Sequence, residues 1–139
     1  MTGPQYTVGL GCDRGTSLAT LQEALQQALG QAGVQLGQIQ AAASISLKAD
    51  EAGLLALAAS HGWAIRFYRP EELACVPVPN PSETVRKYTG TPSVSEAAAL
   101  LVGGGLPMAA LVVEKHKHCG ADGRNATVSI ARCNSAPLF

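Results

Sequence analysis

The sequence predicts an α/β fold, a single three-layer α/β/α domain on a mostly parallel sheet of about five strands. Three observations predict it. Apolar patterning alternates between strand-like and helical periods from residue 6 to residue 73, in the order β-α-β-α-β-α, and that order favours parallel strands joined by right-handed crossovers. The run 39–47, I-Q-A-A-A-S-I-S-L, is mostly apolar on both faces, as in a central strand covered by helices above and below. Helix start and stop residues separate the segments, with no internal repeat, low-complexity tract or linker among the 139 residues. A chain of that length buries about two-thirds of its unfolded surface as one domain.

Tyr6, Val8 and Leu10 form the first strand, followed by glycines 11 and 15 and then Thr16 and Ser17. Leu18, Leu21, Leu25, Ala28, Leu29 and Ala32 give one helical stripe, capped by Thr16 or Ser17 and ended by Gly30 or Gly33. After the second strand, Asp50 is placed to cap a helix carrying Leu54, Leu55, Leu57 and Ala58, which ends near Gly62. Residues 63–68 alternate as a third strand, and Pro70 suits the first position of a brief helix through Leu73. Residues 75–81 carry three prolines and are expected to be extended. Asn80-Pro81-Ser82-Glu83 reads as a helix start with Asn80 as cap, and Gly90 as stop. Ser93 and Glu96 read as a capping box before an alanine-rich helix that ends at glycines 103–105. Residues 109–113 and 126–130 are the fourth and fifth strands, joined by a basic loop over 114–125, and these two can pair antiparallel at an edge.

Apolar residues make up 47% and charged residues 14%, so disorder is not expected. The zero formal net charge argues against nucleic acid or a membrane surface as the main partner. No apolar run approaches the roughly 20 residues needed to span a bilayer, and residues 1–5 lack the regions of a signal peptide. A cytoplasmic protein is expected. Cysteines 12, 75, 119 and 133 are far apart with no C-x-x-C, so free thiols are expected.

Three polar segments, 11–17, 48–51 and 80–83, follow predicted strands or open helices. Ligands of open parallel sheets bind at the carboxyl ends of the strands, so these segments supply the candidate ligand-binding residues: Gly11, Cys12, Arg14, Gly15, Thr16, Ser17, Lys48, Asp50, Glu51, Asn80 and Ser82, with Lys115 just past a buried strand. A helix start offers unpaired N–H groups with partial positive charge, and Arg14 adds a planar donor fork suited to carboxylate or phosphate. The spacing G-x-G-x-x-x-G, with no G-K-[ST] after it, excludes the dinucleotide fingerprint and the P-loop. The expected ligand is a small polyanion, and no cofactor is implied. Glu51, Glu83 and Glu96 are candidate acid/base groups, but each also sits in a helix's first turn, where glutamate serves structure. Lys115-His116-Lys117-His118-Cys119 lacks the ligand spacing of a zinc site, so no metal is expected. No catalytic residue can be assigned from nucleophile–base order.

Taken together, G-L-G-C-D-R-G-T-S, S-L-K-A-D-E, P-N-P-S-E, G-T-P-S-V-S-E-A-A-A-L and A-T-V-S-I-A-R resemble, in order and spacing over about residues 6–132, the family of CobE and the C-terminal domain of CbiG in cobalamin biosynthesis. The resemblance implies a role in building the corrin ring, with a precorrin or corrin intermediate as ligand and other enzymes of that pathway as partners. It leaves two classes of function open. One is a binding or accessory module that holds an intermediate. The other is an enzyme, such as the lactone hydrolase activity of longer family members on a cobalt-precorrin. Arg14, Lys48 and Lys115 around an apolar cleft suit a carboxylate-fringed macrocycle, and the residues predict that Arg14→Ala weakens binding while leaving folding nearly intact.

Overall fold

A computed structural model describes residues 4–133; of the segment screened for a signal peptide, residues 1–3 lie outside that range. The elements run β1 (Tyr6–Cys12), α1 (Leu18–Ala32), β2 (Ile39–Ile45), α2 (Ala52–His61), β3 (Arg66–Tyr68), α3 (Pro70–Ala74), α4 (Glu83–Thr89), α5 (Val94–Val102), β4 (Leu111–Cys119) and β5 (Asn125–Arg132). They build one five-stranded sheet in the order β3-β2-β1-β5-β4. β1, β2 and β3 are parallel. β5 runs antiparallel to both β1 and β4, so the sheet is mixed; β5 lies inside it, beside β1, and β4 forms the edge.

Strand alternation divides the core between two faces. Val8, Leu10, Ala126, Val128 and Ile130 point toward α1 and α2, where they meet Leu21, Leu25, Leu54 and Leu57. On β1 and β5 the opposite face is made of small residues, with Ile45 and Tyr68 beside them on β2 and β3, and α5 sits directly on it. A Cβ on Gly9 would overlap the Ser95 carbonyl oxygen and stand 2.6 Å from the Ala99 amide nitrogen. Thr7 Oγ1 donates to the Ala99 carbonyl at 2.8 Å, and Ser129 Oγ to Ser95 Oγ at 2.9 Å. The alanine run 97–99 of α5, fully buried, is what lets a helix approach a sheet this closely.

Several local expectations are met at the residue named. Ser17 caps α1, accepting from the Thr20 N–H at 3.2 Å, and Gly33, Gly62 and Gly90 end α1, α2 and α4 in the left-handed region. Others are corrected. The N-cap of α2 is Glu51 and not Asp50, because Ser46–Lys48 form a 3-10 turn that carries Asp50 outward. Ser82 caps α4 through the Val85 N–H at 3.2 Å, and Asn80 instead reaches Glu96 and Glu114. Ser93 occupies the N-cap of α5, but the capping box does not form: Glu96 is buried and bonded to Asn80, and Ser93 Oγ has no partner among the described residues. β3 is only three residues long, since Trp63 and Ile65 pack beside the core without joining the ladder.

The largest difference is at 114–119, expected as loop and found as the second half of β4. Only Gly120–Arg124 turn the chain back into β5. No helix among the described residues is long and apolar enough to cross a membrane.

Candidate functional site

A cleft of about 460 Å³ opens at the carboxyl ends of the parallel strands, the expected edge and within the usual range of about 300–1,000 Å³ for ligand sites. β1 and β2 supply Gly11, Cys12 and Ile45 to it, and the loops that follow them supply Asp13, Arg14 and Lys48. β4 and β5 close one side with Lys115, Lys117, Asn125 and Thr127. α4 and the residue capping it form the facing wall through Ser82, Thr84, Val85, Tyr88 and Thr89, and the start of α5 lies between them at Val94 and Ser95.

Period-two alternation in β4 explains the lysines. Lys115 and Lys117 face the cleft. His116 and His118, one residue out of phase, lie against α1, where His116 is bonded to Gln27 and Gln31 and His118 to Glu23. The stretch Lys115–Cys119 is thus a two-sided strand; among the described residues no group of three or more His, Cys, Asp or Glu is placed to hold a metal ion.

Charge is segregated in this neutral chain. Lys48, Lys115 and Lys117 form no ion pair with a carboxylate among the described residues. Among the described residues Asp13 is the one carboxylate of the lining, and its Oδ2 is held by the Asn125 N–H at 2.8 Å and by Asn125 Nδ2 at 3.0 Å. Lys115 Nζ donates to the Asn80 carbonyl at 3.0 Å. Burial pulls its pKa below the usual lysine value, against the opposing field of the nearby Glu96 carboxylate. Burial likewise pushes the Cys12 thiol up to about 11, so at neutral pH it is protonated and a poor nucleophile.

Of the candidate residues, Gly11, Cys12, Arg14, Lys48, Ser82 and Lys115 line the cleft; Gly15, Thr16, Ser17, Asp50, Glu51 and Asn80 do not, and are engaged with other groups of the chain. The guanidinium of Arg14 donates to Asp50 at 2.8 Å, to Glu51 at 3.1 Å and to the Leu47 carbonyl. That pairing raises Arg14 further and holds Asp50 below the usual carboxylate range. Glu51, buried, also accepts from the Gly15 N–H at 3.0 Å, and Gly15 sits at φ 78°. Thr16 is buried with Oγ1 donating to the Asp13 carbonyl at 2.6 Å. The start of α1 is occupied by the chain's own Asp122, which accepts from the Ser17 N–H at 2.9 Å and from Thr20 Oγ1 at 2.9 Å. The Ser17 and Arg124 backbone N–H groups hold Asp122 well below the usual carboxylate range. Asn80 is a tie, its Nδ2 donating to Glu96 at 2.6 Å and to Glu114 at 3.0 Å.

The acid/base candidates do not face the cleft. Glu51 and Glu96 are buried under these donors, and Glu83 lies on the surface beside Arg86 at 3.5 Å. Sequence reasoning missed Lys117 and Tyr88. The signal for Lys117 was its spacing of two from Lys115, which carries meaning only once the stretch is a strand. The signal for Tyr88 was its spacing of three from Val85 on a short helix.

Fold and cleft define a small mixed α/β domain with a lysine-lined cleft at its strand ends. The chain belongs to the family described as cobalamin synthesis G C-terminus, whose model matches residues 6–131. It is a cobalamin biosynthesis protein. Over 115 residues it is 37% identical to a protein named CobE from Sinorhizobium sp., covering 81% of this chain and 73% of that protein. Over 97 residues, 70% of this chain, it is 41% identical to a cobalt-precorrin-5A hydrolase from Priestia megaterium, and the match spans only 26% of the hydrolase. The fold is similar to the crystal structure of a CobE from the cobalamin (vitamin B12) biosynthetic pathway, with a TM-score of 0.75 and 32% identity over 94% of this chain and 92% of that one.

Proposed function

We propose that the cleft holds a carboxylate-fringed precorrin or corrin intermediate and that the protein acts as a binding or accessory module of corrin-ring formation, handing the intermediate to another enzyme of the pathway. One observation carries this reading: three lysines without ion pairs among the described residues, Lys48, Lys115 and Lys117, line a cleft in which the Asp13 carboxylate is held by Asn125. Unpaired ammonium groups around a partly desolvated cleft attract anionic groups more strongly than the same groups on open surface. Cytosolic placement and the ligand role of Arg14, Lys48, Ser82 and Lys115 belong to the same proposal.

A second reading, hydrolysis of a lactone on the intermediate, has one observation in its favour. Lys115 is partly buried, that burial lowers its pKa, and it lies near the Glu96 carboxylate, an amine beside an acid in a cleft as catalytic sites can use. Binding fits better, because the Cys12 thiol is protonated at neutral pH and, among the described residues, the Ser82 hydroxyl is engaged by the Val85 N–H with no base beside it.

Titration with metal-free and cobalt-bearing corrin intermediates, followed by visible absorption, tests both. A saturating spectral shift without product supports the binding module; a new chromophore or a released small aldehyde supports the enzyme. Lys115→Gln and Lys117→Gln should each weaken binding about fivefold, on the order of 1 kcal/mol for a half-exposed charge-assisted bond, and added salt should weaken the wild type. No spectral change with any intermediate sinks the reading.

A further inference from the structure

The lysines leave the α4 wall of the cleft unexplained. α4 buries none of its residues, and only Val85 packs, partly buried, against the core. Thr84, Val85, Tyr88 and Thr89 all line the cleft, on one helix face by their spacing. Tyr88 is 74% exposed, the most exposed large hydrophobic side chain among the described residues. The Lys87 ammonium lies 6.0 Å from its ring centroid, at the limit of cation–π contact. The helix lies between a proline-rich segment and a glycine, with the Ser82 N–H donating to the Pro92 carbonyl at 2.9 Å. Gly90 closes it at φ 83°, and the segment before it has prolines at 77, 79 and 81 and no regular structure. A helix with no buried residues and an aromatic ring at the mouth of a cleft is a wall completed by whatever enters.

We propose that α4 is a lid that lays Tyr88 on the face of a flat conjugated ring while Lys48, Lys115 and Lys117 take the ring's peripheral carboxylates. The cleft therefore selects planar polycarboxylate macrocycles over flexible polyanions of similar charge. This rests on the carboxylate-binding reading of the cleft and adds the element that recognises the ring.

The test uses uroporphyrin I, a flat octacarboxylate macrocycle, titrated by quenching of its fluorescence, with citrate as flexible competitor. Tyr88→Ala should weaken uroporphyrin about 5- to 10-fold, the worth of one aromatic contact. Tyr88→Phe should stay within about twofold of the wild type, since the ring is kept. Citrate competition should be unchanged in both variants, and amide exchange over 83–89 should slow when uroporphyrin is bound. Because Tyr88 is exposed, both variants should melt with the wild type. Equal uroporphyrin affinity in Tyr88→Ala, or an equal loss for citrate, overturns the lid. If Lys115→Gln weakens uroporphyrin while Tyr88→Ala does not, the lid alone falls. If the wild type binds neither probe, the carboxylate site falls and the lid with it.

Discussion

Gly9→Ala would place one methyl group between β1 and α5. The added Cβ overlaps the Ser95 carbonyl oxygen and stands 2.6 Å from the Ala99 amide nitrogen and 2.9 Å from the Ser95 carbonyl carbon. All three are backbone atoms of a helix with hydrogen bonds to the sheet at Thr7 and Ser129, so no side-chain rotation relieves the overlap. Overpacking a core by a methylene costs about 1–3 kcal/mol, and a rigid backbone obstacle puts this site at the upper end. The alanine recovers roughly 0.4–1 kcal/mol by restricting the unfolded chain. The net is a loss of about 2–3 kcal/mol, or roughly 8–12 °C in Tm for a domain of this size. Differential scanning calorimetry measures it, with Gly30→Ala as the paired control. Gly30 lies within α1 with nothing within 4 Å of an added Cβ, so alanine there should raise Tm by a few degrees through helix propensity. A Gly9→Ala variant melting within about 2 °C of the wild type would refute the view that Gly9 exists to seat α5. Because α5 carries Val94 and Ser95 into the cleft, the variant should also bind uroporphyrin more weakly than its stability alone explains.

Three further outcomes follow from the site. Asp122 has a folded pKa below its ordinary value, so its contribution is present above the unfolded value of about 3.9 and lost as pH falls through the folded one; wild type and Asp122→Asn should differ most in Tm at neutral pH and converge in acid, and parallel curves would contradict the assignment. Cys75 and Cys119 are exposed while burial raises Cys12 and Cys133, so a disulfide reagent at pH 8 should label the first pair fast and Cys12 only as pH climbs toward about 11, mapped by peptide mass; Cys12 reacting as fast as Cys75 contradicts its burial. Arg14→Ala should lower Tm, because it removes the tie from the β1 loop to Asp50, Glu51 and Leu47, and should weaken uroporphyrin less than Lys48→Gln does; the reverse ranking would restore Arg14 as a main ligand contact.

The features legible from sequence were those that short stretches of backbone decide. Ser17 can cap α1 and Gly33, Gly62 and Gly90 can end helices because the hydrogen bond or the positive φ involved is local to a few residues. The apolar run of β2 and the alternation in β1 likewise carry their own burial pattern. The cleft was legible as a place, since carboxyl ends of parallel strands collect the loops after them. What fills that place was less so.

Tertiary structure decided the rest, through polar groups that find each other across the chain. Lys115 to His118 show no hydrophobic period because neither of their faces is buried in an apolar core: one faces the cleft and the other the glutamines of α1. Asn80 and Glu96, each plausible as a local cap, bind one another instead, since a buried carboxylate takes the nearest good donors whatever their distance in sequence. The N-terminus of α1, read from sequence as a place for a ligand's negative group, holds the chain's own Asp122, 105 residues from Ser17. Sequence by itself determined most of the helices and strands and the edge at which the cleft opens, because backbone preferences act over a few residues. Which charges remain unpaired there, Lys48, Lys115 and Lys117 and not Arg14, was settled only when folding brought Asp50, Glu51 and Asp122 within hydrogen-bonding reach of the first loop.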